Sequence, residues 1–188
     1  MSERPLSIPV ILGTVRKGRW SGHAARFVLD RIARRPGIVT ELIDIAELGL
    51  ATDDAGESIK DPGFSAAMSA ADALVIVAPE YNHSFPGLLK HALDSNLEEY
   101  IHKAVGIAAV SAGPFGGTRA VQSFLPVMRE LGLVTIFDDI NFGSVQKAFD
   151  DEGRLLEPAY ERRADKFIDE LIWMARTLRH GRETIPIS

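Results

Sequence analysis

Three short segments concentrate the side chains that can do chemistry. The first, Gly13-Thr-Val-Arg-Lys-Gly-Arg-Trp-Ser-Gly-His23, follows an apolar run and gathers the cations Arg16, Lys17 and Arg19 with the hydroxyls of Thr14 and Ser21. A strand running into such a turn at a helix N-terminus offers backbone N–H groups, hydroxyls and dipole to an anion. That chemistry suits a terminal phosphate dianion. The same cations could instead dress a solvated turn, but their place after the first strand favours the anion site. Gly13 and Gly18 have the spacing that opens a P-loop, yet Arg19-Trp20 stands where Lys-Ser/Thr is required. A later apolar run ends in Pro79-Glu80 with no Asp in a Walker-B position, which argues against nucleoside triphosphate hydrolysis. No G-x-G-x-x-G is present, and Asp44 alone does not make a ribose site, so a dinucleotide Rossmann site is weakly supported.

The second segment, Pro79-Glu-Tyr-Asn-His-Ser-Phe-Pro86, carries an aromatic ring, an amide and two prolines, a rigid ledge of backbone donors beside a flat surface. The third, Ser111-Ala-Gly-Pro-Phe-Gly-Gly117, is glycine-rich, so backbone can approach a ligand closely, and the helix start behind it favours negative charge. A phosphate at one end and a flat, anion-forming ring at the other describe a flavin mononucleotide.

The elements that must position these segments follow from periodicity. Short apolar runs at Ile8–Leu12, Val39–Ile45, Ala73–Ala78, Ala104–Val110 and Val134–Phe137 read as strands. Ala73–Ala78 is apolar throughout, as a strand buried on both faces of a sheet must be. Helical patterns alternate with them. One places Ala24, Phe27, Val28 and Ile32 on one face before Arg34-Arg-Pro-Gly37 stops it. Another runs from about Phe64 to Ala71, after a loop from Glu47 to Gly63. A third starts at Pro86, and a fourth buries Val121, Phe124, Leu125, Met128 and Leu131 around Pro126, which predicts a kink or late start. The stretch Phe142–Leu156 reads as irregular or hairpin-like, and a last helix spans about Pro158 to Leu178. Five strands alternating with five helices imply a doubly wound α/β sheet in three layers, with ligands outside the carboxyl ends of the strands.

Composition narrows the function classes. The 188 residues are 46% hydrophobic and 25% charged, with a net charge of −5 and no cysteine. One globular domain over residues 1–188 is expected. Thiol catalysis and cysteine-based metal or iron–sulfur sites are ruled out, and no other metal cluster is suggested. The acidic balance argues against nucleic acid as a partner. The N-terminal residues lack a signal-peptide pattern and no apolar run is long enough to span a bilayer, so a cytoplasmic location off the membrane is expected.

These segments closely resemble the NADPH-dependent FMN reductase family of flavodoxin-like proteins, which includes quinone, azo and chromate reductases. The resemblance runs from about Val10 to Leu131, with Pro79–Asp94 its most specific part. It implies a five-stranded parallel sheet of order 2-1-3-4-5, tightly bound FMN, and NADPH or NADH as co-substrate. By position, the phosphate falls to Thr14, Arg16, Ser21, Gly22 and His23. The ring falls to Pro79, Glu80, Tyr81, Asn82, His83 and Ser84, and its pyrimidine end to Ser111, Ala112, Gly113, Gly116 and Gly117. Thr14 replaces the family's more usual Ser, and Trp20-Ser21-Gly22 departs from its common Ser-x-Asn continuation. The family is commonly dimeric or tetrameric, which implies a homodimer or homotetramer.

The expected reaction is a ping-pong cycle in which hydride passes from NADPH through flavin to free flavin, a quinone, an azo compound or chromate. The chemistry is flavin-centred, with the Asn82 backbone N–H near flavin N5 and no catalytic side chain. Arg19, Lys17 and Arg119 are candidates for the 2′-phosphate of NADPH, and Arg16 for the FMN phosphate. Tyr81 either covers a flavin face or packs on a helix, and His83 either meets the ring or is a hydrogen-bonded loop residue. Ser111 lies outside any G-x-S-x-G, against a hydrolase nucleophile. The alternative function is a flavodoxin-like electron carrier with bound FMN and protein partners.

Overall fold

The computed structural model describes residues 4–53 and 59–186. Its strands are β1 (Leu6–Ser7), β2 (Val10–Leu12), β3 (Ile38–Val39), β4 (Leu42–Asp44), β5 (Ala73–Pro79), β6 (Ala104–Val110), β7 (Val134–Thr135) and β8 (Ile140–Phe142). The helices are α1 (Ser21–Ala33), α2 (Pro62–Ala70), α3 (Gly87–Asp94), α4 (Thr118–Glu130), α5 (Val145–Ala148) and α6 (Ala159–Thr184). All ladders are parallel, and the main sheet runs β4-β2-β5-β6-β7, with β8 also on β6. Counting β1 with β2, β3 with β4 and β7 with β8 as single strand lines, the order is 2-1-3-4-5, as the resemblance implies.

The interruptions within those lines have local causes. The expected strand Ile8–Leu12 is instead Leu6–Ser7 and Val10–Leu12, because Pro9 has no N–H to continue a ladder. Hydrogen bonds from Ile8 N to Val39 O (3.0 Å) and Val10 N to Glu41 O (2.8 Å) carry the pairing across the gap. Opposite, the Thr40 hydroxyl donates to Ile8 O at 2.6 Å and splits the expected Val39–Ile45 strand. The expected Val134–Phe137 strand stops at Thr135, and Phe137 is 89% exposed. There the N–H groups of Phe137 and Asp138 turn to the Glu170 carboxylate on α6 (2.8 and 3.3 Å).

Alternation along β5 and β6 divides the core into two layers. Val75, Val77, Ala104 and Ala108 face α1 and α6, while Leu74, Ile76, Val105 and Ile107 face α2, α3 and α4. Gly106 gives α6 its close approach: a Cβ there would lie 2.3 Å from the Phe167 ring. Pro126 lies inside α4 without ending it. That helix buries Ala120, Val121, Phe124 and Met128, whereas Leu125, expected inside, is 38% exposed at its edge. The stretch read as irregular contains α5 and an isolated antiparallel bridge, Phe149 to Leu155, around Asp151-Glu-Gly153. Within the loop expected from Glu47 to Gly63, residues 54–58 lie outside the described residues. Among the described residues no helix is long and apolar enough to cross a membrane.

Candidate active site

The carboxyl ends of β2, β5, β6 and β8 leave the sheet on one edge, and their loops surround a cleft of about 280 Å³. At the exit from β2, Gly13 N donates to Val77 O at 2.8 Å, and a Cβ on Gly13 would meet the Leu89 side chain at 2.6 Å. The next residue, Thr14, is buried, and its Oγ1 lies 2.9 Å from the Tyr81 hydroxyl. The Arg16 guanidinium sits over the Tyr81 ring, 4.7 Å from its centroid, a cation–π contact that joins the first loop to the second.

Helix α1 then begins at Ser21 with no side-chain cap from Trp20. The first turn of a helix always presents N–H groups without intrahelical partners, and an anion there is stabilised by them and by the dipole. Ser21 lines the cleft, and its hydroxyl is buried and has no hydrogen-bond partner. Burial of an unpaired hydroxyl costs about 1–3 kcal/mol unless a ligand satisfies it.

In the second loop, Tyr81 and Ser84 exchange backbone hydrogen bonds of 2.8 and 3.0 Å across Asn82 (φ 50°) and His83 (φ 67°). Positive φ at both central residues defines a type I′ turn, which leaves their own N–H groups outside the reciprocal pair. Glu80 ties this loop to the third: its carboxylate accepts from the Arg119 backbone N–H at 3.2 Å and lies 3.5 Å from the Arg119 side chain. The Arg119 guanidinium in turn covers the Phe115 ring at 5.2 Å.

The third loop is held from below. Gly116 and Gly117 are left-handed (φ 63° and 78°) and buried. A Cβ on Gly117 would lie 2.7 Å from that of Ala109, and one on Gly116 would lie 2.8 Å from the Asn141 carbonyl carbon. Gly113, by contrast, has open space where a Cβ would stand. Ser111 N donates to Phe142 O, and Val145 N to Ser111 O, which brings the β8–α5 connection to the cleft.

Of the residues singled out in the sequence, Arg16, Arg19, Ser21, Pro79, Glu80, Tyr81, Ser111 and Ala112 line this cleft. Thr14 lies beneath it on Tyr81, and Asn82, His83 and Ser84 form the turn beside it. Lys17 is exposed on the first loop, and Arg119 on the start of α4. Gly22 lies in the first turn of α1, and the His23 ring packs against Trp20 and Phe149. Val145 and Gln146 also line the cleft and were absent from the sequence reading. Their signal was topological: a fifth parallel strand must deliver its following loop, Gly143-Ser144, to the same edge. No group of three or more metal-ligating side chains occurs among the described residues.

A parallel 2-1-3-4-5 sheet with an anion cradle after its first strand and an aromatic ledge after its third defines a flavodoxin-like FMN protein, and the unpartnered hydroxyl of Ser21, which lines one cleft with Arg16, fits the phosphate of that cofactor. The NADPH-dependent FMN reductase family model matches residues 6–147, and the chain belongs to that family. It is 30% identical over 177 residues to an NAD(P)H-dependent FMN reductase of Pseudomonas aeruginosa, covering 90% of this chain and 95% of that one. It is 39% identical over 130 residues to a quinone reductase of Escherichia coli, covering 63% and 66% respectively. The fold superposes with a TM-score of 0.75 on the flavoenzyme NAD(P)H:(acceptor) oxidoreductase FerB from Paracoccus denitrificans, at 21% identity and over 92% of this chain and 98% of that one. The chain is thus a flavin-dependent oxidoreductase.

Proposed function

We propose that this enzyme passes reducing equivalents from NADPH or NADH to a small, flat acceptor, a quinone or free flavin foremost, with azo compounds and chromate as further acceptors. The observation that carries this reading is the buried, unpartnered Ser21 hydroxyl at the uncapped start of α1, set in one cleft with Arg16 and Tyr81. The names of the Pseudomonas and Escherichia relatives support the acceptor class. Bound FMN would supply the hydride-accepting and electron-donating centre.

The chain's own residues bind and orient. Arg16 and Ser21 grip the phosphate, with Thr14 fixing the Tyr81 ring from below. Tyr81 and Trp20 shield the cofactor from water, and the Asn82 N–H and the open backbone at Gly113 donate toward the ring. Exposed Lys17 and Arg119 meet the 2′-phosphate of NADPH, while Arg19 is engaged elsewhere by Asp44. Residues 1–188 act as one cytoplasmic domain, and the apolar side chains exposed on α3, α4 and the third loop, Leu88, Leu125 and Phe115, support a homodimer or homotetramer.

Visible spectroscopy tests the reading. The purified protein is expected to show flavin bands that bleach with NADPH, and a colourless protein that gains no bands with added FMN would sink it. Initial rates over both substrates should give parallel double-reciprocal lines, with quinone and free FMN above azo dye and chromate in kcat/KM. Converging lines would replace ping-pong with a ternary complex.

A further inference from the structure

The first loop is pinned from a strand that carries no ligand group in the family resemblance. Asp44 ends β4, next to β2 in the sheet. One of its carboxylate oxygens accepts from Ala46 N at 2.9 Å, capping the short 3-10 turn Ile45–Glu47. The other pairs with the Arg19 guanidinium. A second nitrogen of that guanidinium donates to Thr14 O at 2.6 Å. Arg19 therefore spans the neck of the loop, from residue 19 back to residue 14, with its charge anchored on the neighbouring strand. The pair is shielded, with side chains 21% and 16% exposed. Beyond this neck the loop is held at Arg16, by its guanidinium over the Tyr81 ring and its N–H on Thr14 Oγ1 at 3.4 Å, while Val15, Lys17 and Gly18 are exposed and nothing lies within 4 Å of the Cβ position of Gly18.

We propose that Asp44 is a positioning residue for the cofactor phosphate, holding the Thr14–Arg19 neck closed through Arg19 so that Arg16 and Ser21 are already in place when FMN arrives. The proposal rests on the FMN reading above. Ordering a loop during binding subtracts from affinity, whereas a loop ordered beforehand does not. Thr14 relays the same order to the second loop through its 2.9 Å contact with Tyr81. The opposite expectation has the opposite sign. If Asp44 acted only as a nearby negative charge, its removal would tighten the binding of a dianion.

A double-mutant cycle with two ligands separates these cases. Apoprotein is titrated with FMN and with riboflavin, which lacks the phosphate, for the parent chain, Asp44→Asn, Arg19→Gln and the double variant. Asp44→Asn is expected to weaken FMN about ten-fold, the loss of one hydrogen bond to a charged group, and to leave riboflavin unchanged. Arg19→Gln should do the same, and the double variant should be no weaker than either single one, because the two residues act as a unit. Unchanged or tighter FMN binding in Asp44→Asn overturns the proposal. So do equal losses for both flavins, which mark general destabilisation, and additive losses, which mark independent roles. Should Asp44→Asn fail to fold, Asp44→Ser, which can still cap the Ile45–Glu47 turn but cannot pair with the Arg19 charge, takes its place in the same FMN to riboflavin comparison. A parent chain that binds neither flavin overturns the FMN reading and the proposal together. A parent that binds FMN with Asp44→Asn unaltered overturns the proposal only.

Discussion

The two edges of the sheet use arginine in opposite ways. At the carboxyl edge, Arg16 lies on the Tyr81 face and shares a cleft with Ser21, whose hydroxyl is unpaired. At the amino edge, Asp72 immediately precedes β5 with no exposed surface and is bound by Arg4 (2.8 Å), Arg179 (3.3 Å) and Arg182 (3.2 Å), and by Ser7 N–H at 3.1 Å. Lys103, immediately before β6, donates to the carbonyls of Met68 and Ser69 at the end of α2. The charged groups Asp72 and Lys103 at the amino edge are satisfied within the protein and fasten Arg4 and α6 to the sheet, although the buried Tyr100 hydroxyl just before β6 has no partner. Polar groups at the carboxyl edge keep unmet hydrogen-bonding capacity, which is what a ligand site needs. Loss of an amino-edge partner should therefore appear as lost stability, and loss of a carboxyl-edge partner as lost affinity.

The largest expected effect is at Asp72. Asp72→Asn leaves several guanidinium groups facing a neutral amide, and removing one partner of a buried ion pair costs about 3–5 kcal/mol. In a chain of this size that lowers the thermal midpoint by about 10 °C, while FMN affinity measured well below the transition stays at its parent value. A variant that melts with the parent breaks the comparison at its stronger end.

Arg16→Ala reverses the pattern. FMN affinity should fall about ten- to a hundred-fold, the equivalent of one charge-assisted contact to phosphate. The melting point of the apoprotein should hardly move, because an exposed substitution away from the core changes stability by about 0.5 kcal/mol or less. Equilibrium titration and thermal denaturation of one preparation read both quantities, and unaltered FMN binding ends the assignment of Arg16 to the phosphate.

How much of this was legible beforehand depends on how local each cause is. The run Ala104–Val110 forms β6 with those bounds, since continuous apolar residues leave a chain few other places to go. The end of α1 before Arg34-Arg-Pro-Gly37 is equally local. The breaks at Pro9 and Thr40 depend on which neighbour each residue faces, and so require the sheet itself. In the site, the cationic turn after the first strand could be read from composition and order. The Asp44–Arg19 pair could not, because 25 residues separate its members and only strand adjacency joins them. Glycines show a further limit: the sequence does not distinguish one that makes room for a ligand from one that makes room for protein. Gly113 faces open space, whereas Gly117 is required by the approach of Ala109.

The smallest effect, a pH dependence, sharpens the comparison at Lys103. Burial, reinforced by the neighbouring Arg182, pushes its pKa from 10.5 down to about 8. Between about pH 8 and 10.5 the unfolded chain keeps a proton that the folded chain has released, so raising pH favours the folded state. Below about pH 8 both states hold the proton and this residue adds no slope, only a constant penalty. Lys103→Met removes the titration, and the carbonyls of Met68 and Ser69 that lose their donor add an offset independent of pH. The quantity to follow is therefore the difference in urea midpoint between the parent and Lys103→Met. It should be flat up to about pH 8 and then shift in favour of the parent toward pH 10.5. A difference that stays flat through that window means that Lys103 keeps its proton in the folded state, and its burial then carries no charge penalty.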